Sequence, residues 1–209
     1  RLLHRDSHTR IFFTAARIGY PHTAVTEGWR RVLQHLRSDD RLIWTTYWAA
    51  DEAYFRFARD FHKELPVPQK NIWVLGNTRE ETEAAAACGF RSSWVHNNCW
   101  LDETVFRPIA RPKQYRAIMV AQNADYKRPW LAARVDGLAY VETERFHLSN
   151  PAVIGRLNPA ARFSSLPTRE LVDLINASRT GLILSDIGGG CFASSECLMC
   201  GIPVVSTPS

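Results

Sequence analysis

The chain has no apolar run long enough to cross a bilayer as a helix. It has no H-E-x-x-H pair, no His/Cys cluster at metal spacing, no G-x-S-x-G elbow and no Walker A loop. Zincin, serine-hydrolase and P-loop chemistry therefore have no motif to rest on. Five cysteines at irregular spacing do not form a disulfide framework and fit reduced thiols. Cys197 and Cys200 make a lone C-x-x-C on a predicted helix, and without a partner pair they read as packing residues. The opening RLLHRDSHTR carries no apolar h-region, so no secretory signal is expected. No internal repeat or low-complexity tract is present.

What is there describes a folded α/β protein. Hydrophobic residues make up 45% of the 209, with seven tryptophans, which is globular rather than disordered composition. The length allows one large or two small domains. A formal net charge of +5 favours anionic partners such as sugar nucleotides, acidic lipid surfaces or nucleic acid. The chain begins with Arg and ends directly after a predicted strand, which is expected of a fragment, a trimmed chain or a reduced enzyme.

The last thirty residues organise the rest. Residues 180–184 (TGLIL) suit a buried strand. Ser185-Asp186 and the triplet Gly188-Gly189-Gly190 follow, then small and apolar residues at helical spacing from Phe192 to Cys200. Gly201 fits a helix C-cap, and Pro203 blocks continuation before the strand 203–206. This is one βαβ unit of a parallel sheet. Its glycine turn lies where ligands of open α/β sheets sit, and a helix start suits phosphate. Glu196 stands in the first turns of that helix, where a carboxylate can accept hydrogen bonds from a ribose diol. A tight connection with no ligand is the alternative for the turn taken by itself.

Upstream, residues 10–16 read as a strand and 18–22 as a turn. A helix is expected over 26–37, with Trp29, Val32, Leu33 and Leu36 on one apolar face. Its other sides carry Arg30, Arg31, His35 and Arg37, either a solvated basic side or a patch for anionic lipid. Strands are expected at 41–48 and 71–76, with a helix over 51–62 between them. Phe55, Phe57, Ala58 and Phe61 of that helix cover the sheet. Thr78 and Glu81 form a capping box for a helix over 79–88, closed by Gly89. A strand over 92–97 encloses His96 as a core residue. Residues 109–114 read as a linker. Strands follow at 115–122, 138–142 and 162–166, with 146–160 irregular. Thr168 is the expected N-cap of a helix over 169–177, whose Leu171, Leu174 and Ile175 face the sheet.

Several of these residues resemble the retaining GT-B glycosyltransferases, the family 4-like group also called glycosyl transferases group 1. Glu196, Gly201, Pro203, Val204 and Val205 match that family's nucleotide-sugar signature. Gly188 occupies the position of its first acidic residue, with Asp186 as a substitute two residues earlier. Asp102, Phe106 and Pro108 match the D-x-x-x-F-x-P segment that closes its N-terminal domain. Lys127 keeps the place of a phosphate-binding lysine, while Gln122 stands at the place of the family's arginine.

The resemblance implies two Rossmann-type doubly wound domains facing across a cleft. Residues 1–109 are the acceptor-side domain, and 110–209 an incomplete nucleotide-sugar-binding domain. It implies transfer of a sugar, with retention, from a nucleoside diphosphate sugar to an acceptor hydroxyl of a glycan, lipid-linked or small molecule. The donor site it implies comprises Gln122, Lys127, Asp186, Gly188, Gly189, Gly190, Cys191, Phe192 and Glu196, with Arg128 as a further cation. His22 is the candidate contact to acceptor or sugar. No metal or other cofactor is expected, because in the family a donor phosphate oxygen helps deprotonate the acceptor. The expected location is cytoplasmic, in glycan biosynthesis, with peripheral contact at the inner membrane surface through 26–37. Two alternatives stay open: a non-catalytic sugar-nucleotide binder or scaffold, and a nucleic-acid-modifying GT-B enzyme. The scattering of the arginines disfavours nucleic acid.

Overall fold

A computed structural model of the chain describes residues 2–14, 23–46, 51–143, 150, 152, 154–155, 157–186 and 191–207. The chain divides into two units, Arg1–Cys99 and Trp100–Ser209. The division falls ten residues before the 109/110 boundary expected from the linker. The cause is packing: Phe106 is buried in the core of the second unit, with Leu101, Val105 and Ile109 against it. The linker itself is pinned there, since Ile109 N donates to Asn176 Oδ1 at 2.8 Å and Lys113 Nζ to Asn176 O at 2.8 Å.

In the first unit, β1 (Leu2–Arg5) and β2 (Arg10–Thr14) form an antiparallel hairpin. Then follow α1 (Thr23–Leu33), β3 (Arg41–Thr45), α2 (Glu52–His62), β4 (Ile72–Gly76), α3 (Arg79–Ala87) and β5 (Arg91–Trp94). The strands lie in the order β1-β2-β3-β4-β5, parallel from β2 onward. Alternation decides the core side. Leu42 and Trp44 of β3, and Ile72 and Val74 of β4, are buried together with Phe55, Ala58 and Phe61 of α2. Phe57 is instead 38% exposed, and Val32 of α1 is 57% exposed while Leu33 and Leu36 are buried. α1 ends at Leu33, short of the expected 37, and Val32 lies outside the buried face that Leu33 and, from the following turn, Leu36 occupy. The side chain of Trp29 lies outside the described residues.

Caps fix these helices. Asp51 accepts from Tyr54 N at 2.9 Å to start α2, and Thr78 Oγ1 accepts from Glu81 N at 3.2 Å to start α3. The Glu81 carboxylate accepts from Asn77 N at 2.7 Å and from Thr46 Oγ1 at 2.6 Å. It therefore ties the carboxyl ends of β3 and β4 together as well as serving the helix. Gly89 closes α3 with φ of 84°, a left-handed conformation that glycine adopts freely. β5 stops at Trp94, so His96 is not a core strand residue. It is half-exposed, and its Nδ1 accepts from Asn98 N at 3.2 Å in the next turn.

The second unit holds β6 (Ala117–Ala121), β7 (Leu138–Glu142), β8 (Ala161–Ser164), α4 (Thr168–Asn176), β9 (Gly181–Ile183), α5 (Phe192–Met199) and β10 (Val204–Ser206). All its pairings are parallel, in the order β10-β9-β6-β7-β8. The central strands are apolar on both faces, as a sheet covered on both sides requires. Ile118, Ala139 and Val141 pack with Val172, Ile175 and Cys197 on one face. Met119, Leu138, Tyr140, Leu182 and Leu184 form a second cluster on the other. Both thiols of Cys197-x-x-Cys200 are buried in the first of these clusters. Thr168 is not the cap of α4: it is already helical, and Pro167 is the preceding residue, with no side-chain cap bond.

Candidate functional site at the carboxyl edge of the second sheet

The chain leaves β6 towards β7 on one side and returns through β9 on the other. This reversal is a topological switch point, where two loops diverge outside the strand ends. The first loop runs from Gln122 to Arg128 and the second starts at Ser185. Hydrogen bonds join them. Asp186 N donates to Tyr126 O at 2.8 Å, and Tyr126 OH donates to Gln122 Oε1 at 2.6 Å. The Lys127 ammonium lies 5.0 Å from the centroid of the Tyr126 ring. Its side chain makes no hydrogen bond or ion pair among the described residues.

Arg128 behaves differently. Its backbone is left-handed, with φ of 46° and ψ of 48°. That turns the guanidinium back across the strand ends. Nε donates to Leu184 O at 2.8 Å, and Nη2 to Ser185 O at 3.2 Å and Thr207 Oγ1 at 2.6 Å. Nη1 pairs with the Asp186 carboxylate at 3.2 Å. Its charge is thus spent on the protein, and Arg128 is not the further phosphate-facing cation expected from its place after Lys127.

Beyond β9, Cys191 precedes α5 with extended backbone, and its carbonyl accepts from Ser194 N and Oγ. Cys191 makes no side-chain cap bond, so among the described residues no side chain caps the amides near Phe192 at the positive end of the helix. Glu196 follows one turn later. It is half-buried and makes no hydrogen bond or ion pair among the described residues. Burial pushes its carboxyl up to about 7. No bond links it to the Gln122, Tyr126 and Asp186 group. Gly188, Gly189, Gly190 and His22 lie outside the described residues.

A second polar group locks the neighbouring strand ends. The Asn123 side chain donates to Glu142 and accepts from Tyr140 OH at 2.8 Å, and Glu142 accepts from Arg162 at 2.6 Å. Burial, reinforced by the Glu142 charge, raises the Tyr140 phenol to about 12. The signal in the sequence is an Asn two residues past an apolar strand. A groove of about 520 Å³ lies along α4 and the 111–115 segment, lined in part by Tyr115, Phe163 and Leu174, and includes none of these residues. Among the described residues no group of three or more His, Cys, Asp or Glu is placed to hold a metal. No helix there is long and apolar enough to cross a membrane.

By sequence, no protein-family model and no curated protein matches the chain. By structure, the fold is α/β and GT-B-like, with sheets of Rossmann type. A sucrose-phosphate synthase from Thermosynechococcus elongatus is similar with a TM-score of 0.59 and 13% identity. The match covers 86% of this chain and 52% of that one. An apo structure of OtsA is similar with a TM-score of 0.54 and 11% identity, over 88% of this chain and 63% of that one. The chain therefore spans between half and two thirds of the length of these two structures.

Proposed function

We propose that the chain is the core of a retaining glycosyltransferase that takes its sugar from a nucleoside diphosphate sugar and passes it to an acceptor hydroxyl. The observation that carries this reading is the switch point at β6 and β9. Two loops diverge there, one bearing Lys127, which makes no hydrogen bond or ion pair among the described residues, and the other leading to a helix start without a side-chain cap bond from Cys191. The likeness in fold to GT-B structures supports the class of reaction.

In this reading the Lys127 ammonium and the first-turn amides of α5 take the diphosphate, whose negative charge grows as the sugar departs. Glu196, ionised on contact, accepts from the ribose diol. The test is a thermal-shift screen at pH 8 against UDP, GDP, ADP and dTDP and their sugars, on wild type and Glu196→Ala. One nucleotide is expected to raise the melting temperature of wild type and to act more weakly on the variant. Equal shifts in the two proteins remove Glu196 from the site, and no shift with any nucleotide removes the donor site itself.

One observation favours a second reading, a sugar-nucleotide binder without turnover. Gln122 is already engaged by Tyr126, and Arg128 is neutralised by Asp186, so Lys127 carries the phosphate charge without a second cation from this loop. Calorimetric binding of a nucleoside diphosphate, with no sugar released or transferred from any donor, selects that reading.

A further inference from the structure

We propose that Arg128 is a positioning residue for anion binding at this edge: it fixes the ends of β9 and β10 and cancels Asp186, leaving Lys127 to meet the ligand. The proposal rests on the donor-site reading above. Three observations carry it. First, the guanidinium donates to two consecutive carbonyls of the chain leaving β9, Leu184 O and Ser185 O. Second, it reaches Thr207 Oγ1, just past β10, and that hydroxyl also bonds Ser185 O at 3.3 Å. One side chain thus staples the ends of two adjacent strands. Third, Nη1 holds the Asp186 carboxylate, whose own backbone N–H is fixed to Tyr126, the neighbour of Lys127.

Geometry explains why arginine stands here. Its planar fork offers donors in several directions at once, whereas a lysine ammonium is a single point. The left-handed backbone at 128 is disfavoured for a residue with a side chain, and the set of contacts made by the guanidinium holds it. Without Arg128, Asp186 would present an uncompensated negative charge beside the loop that carries Lys127, and a diphosphate would meet repulsion there. With Arg128 in place, that charge is cancelled before the ligand arrives. A direct bond from Arg128 to phosphate would require breaking these contacts.

The experiment uses the full chain as wild type, Arg128→Lys, Arg128→Gln, Asp186→Asn, Arg128→Gln/Asp186→Asn, Thr207→Val and Lys127→Gln. Affinity for UDP, GDP and ADP is measured across a salt series, and amide hydrogen exchange is followed without ligand. Arg128→Lys is expected to speed exchange of the amides of residues 183–186 and to weaken nucleotide binding about tenfold, the scale of one lost charge-assisted bond. The salt dependence of binding stays as in wild type, because the guanidinium does not touch phosphate, while Lys127→Gln flattens it. Arg128→Gln is expected to bind more weakly than Arg128→Lys. Adding Asp186→Asn recovers part of that loss, a rescue that a purely structural role would not give. Thr207→Val, which removes one contact and no charge, moves affinity in the same direction by a smaller step.

Unchanged affinity in Arg128→Lys, a flattened salt dependence in Arg128→Lys, or no rescue by Asp186→Asn overturns the positioning role while leaving the donor site standing. Absence of nucleotide binding by wild type overturns the donor site and the role together. Faster exchange in Arg128→Lys then marks Arg128 as a clamp of the fold alone.

Discussion

Replacing Glu196 with glutamine is expected to stabilise the unliganded protein and to weaken its hold on a nucleotide. The carboxyl sits half-buried on α5 with no hydrogen bond or ion pair among the described residues, and burial raises it from 4.5 to about 7. Below pH 4.5 both the folded and unfolded chains hold the proton, and Glu196 costs nothing. Between 4.5 and 7 the unfolded chain releases its proton while the folded chain keeps it, so stability falls as pH rises. Above 7 the full cost is present. At 1.36 kcal/mol per pH unit, a shift of this size corresponds to about 3 kcal/mol. Water reaches part of the carboxyl, so this is the upper end. Urea denaturation at pH 4.5 and pH 8 measures it. Glu196→Gln is expected to match wild type at the lower pH and to exceed it by about 2–3 kcal/mol at the higher. The same variant is expected to lose nucleotide-induced stabilisation, because an amide is a poorer acceptor for a diol than a carboxylate. Equal pH dependence in the two proteins would refute the claim that this carboxyl is held uncompensated.

His62 gives the opposite slope in the first unit. Among the described residues its ring nitrogens have no hydrogen-bond partner, Trp44, Phe61 and Phe90 pack around it, and burial lowers it from 6.5 to about 4. Stability is complete above 6.5 and falls by about 3 kcal/mol as pH drops towards 4, a limb that His62→Phe is expected to remove from an acid titration followed by tryptophan fluorescence. Gly181→Ala places a methyl 2.6 Å from Cys197 Sγ, and denaturation is expected to show a loss of about 1–3 kcal/mol. Cys197→Ala in the same chain recovers part of it, and strictly additive losses would contradict the close contact. Glu81→Ala removes the carboxylate that Asn77 N and Thr46 Oγ1 share, which is expected to cost about 2–4 kcal/mol in a denaturant melt, with Glu81→Gln retaining more than half.

Elements with strong local patterns were legible before any coordinates. The strand 138–142 was placed to the residue, and Asp51, Thr78 and Gly89 mark the helix boundaries that the structure shows. The apolar alternation in β3 and β4 fixes which side is core because period-two burial is written in the side chains themselves. β1 was missed because all four of its residues are exposed and give no alternation. Thr168 was misread because a threonine after proline can be the cap or the first helical residue, and only the backbone angle at Pro167 decides. At the site, Lys127 and Glu196 were legible as residue types at a spacing. The clamp at Arg128 was not, since it depends on a left-handed backbone that no sequence rule assigns to arginine.

Both sheets are five-stranded, but the first carries an antiparallel edge hairpin and the two differ in strand order. In the first unit each parallel strand joins the side of the last, so successive connections follow one another along the edge from β2 to β5. In the second, β6 sits at the centre with the chain departing on one side and re-entering on the other. There the strand order reverses, the arrangement in which neighbouring loops part and leave strand ends open to a ligand. Charge at that edge is sparing. Arg128 and Asp186 cancel, burial of Glu196 favours its neutral form, and Lys127 makes no hydrogen bond or ion pair among the described residues. The +5 of the whole chain is therefore mostly elsewhere, on side chains such as Arg31 and Arg37 of the first unit. A diphosphate at this edge is met by one ammonium and a helix start rather than by a basic pocket, so its affinity should rest on backbone amides as much as on charge.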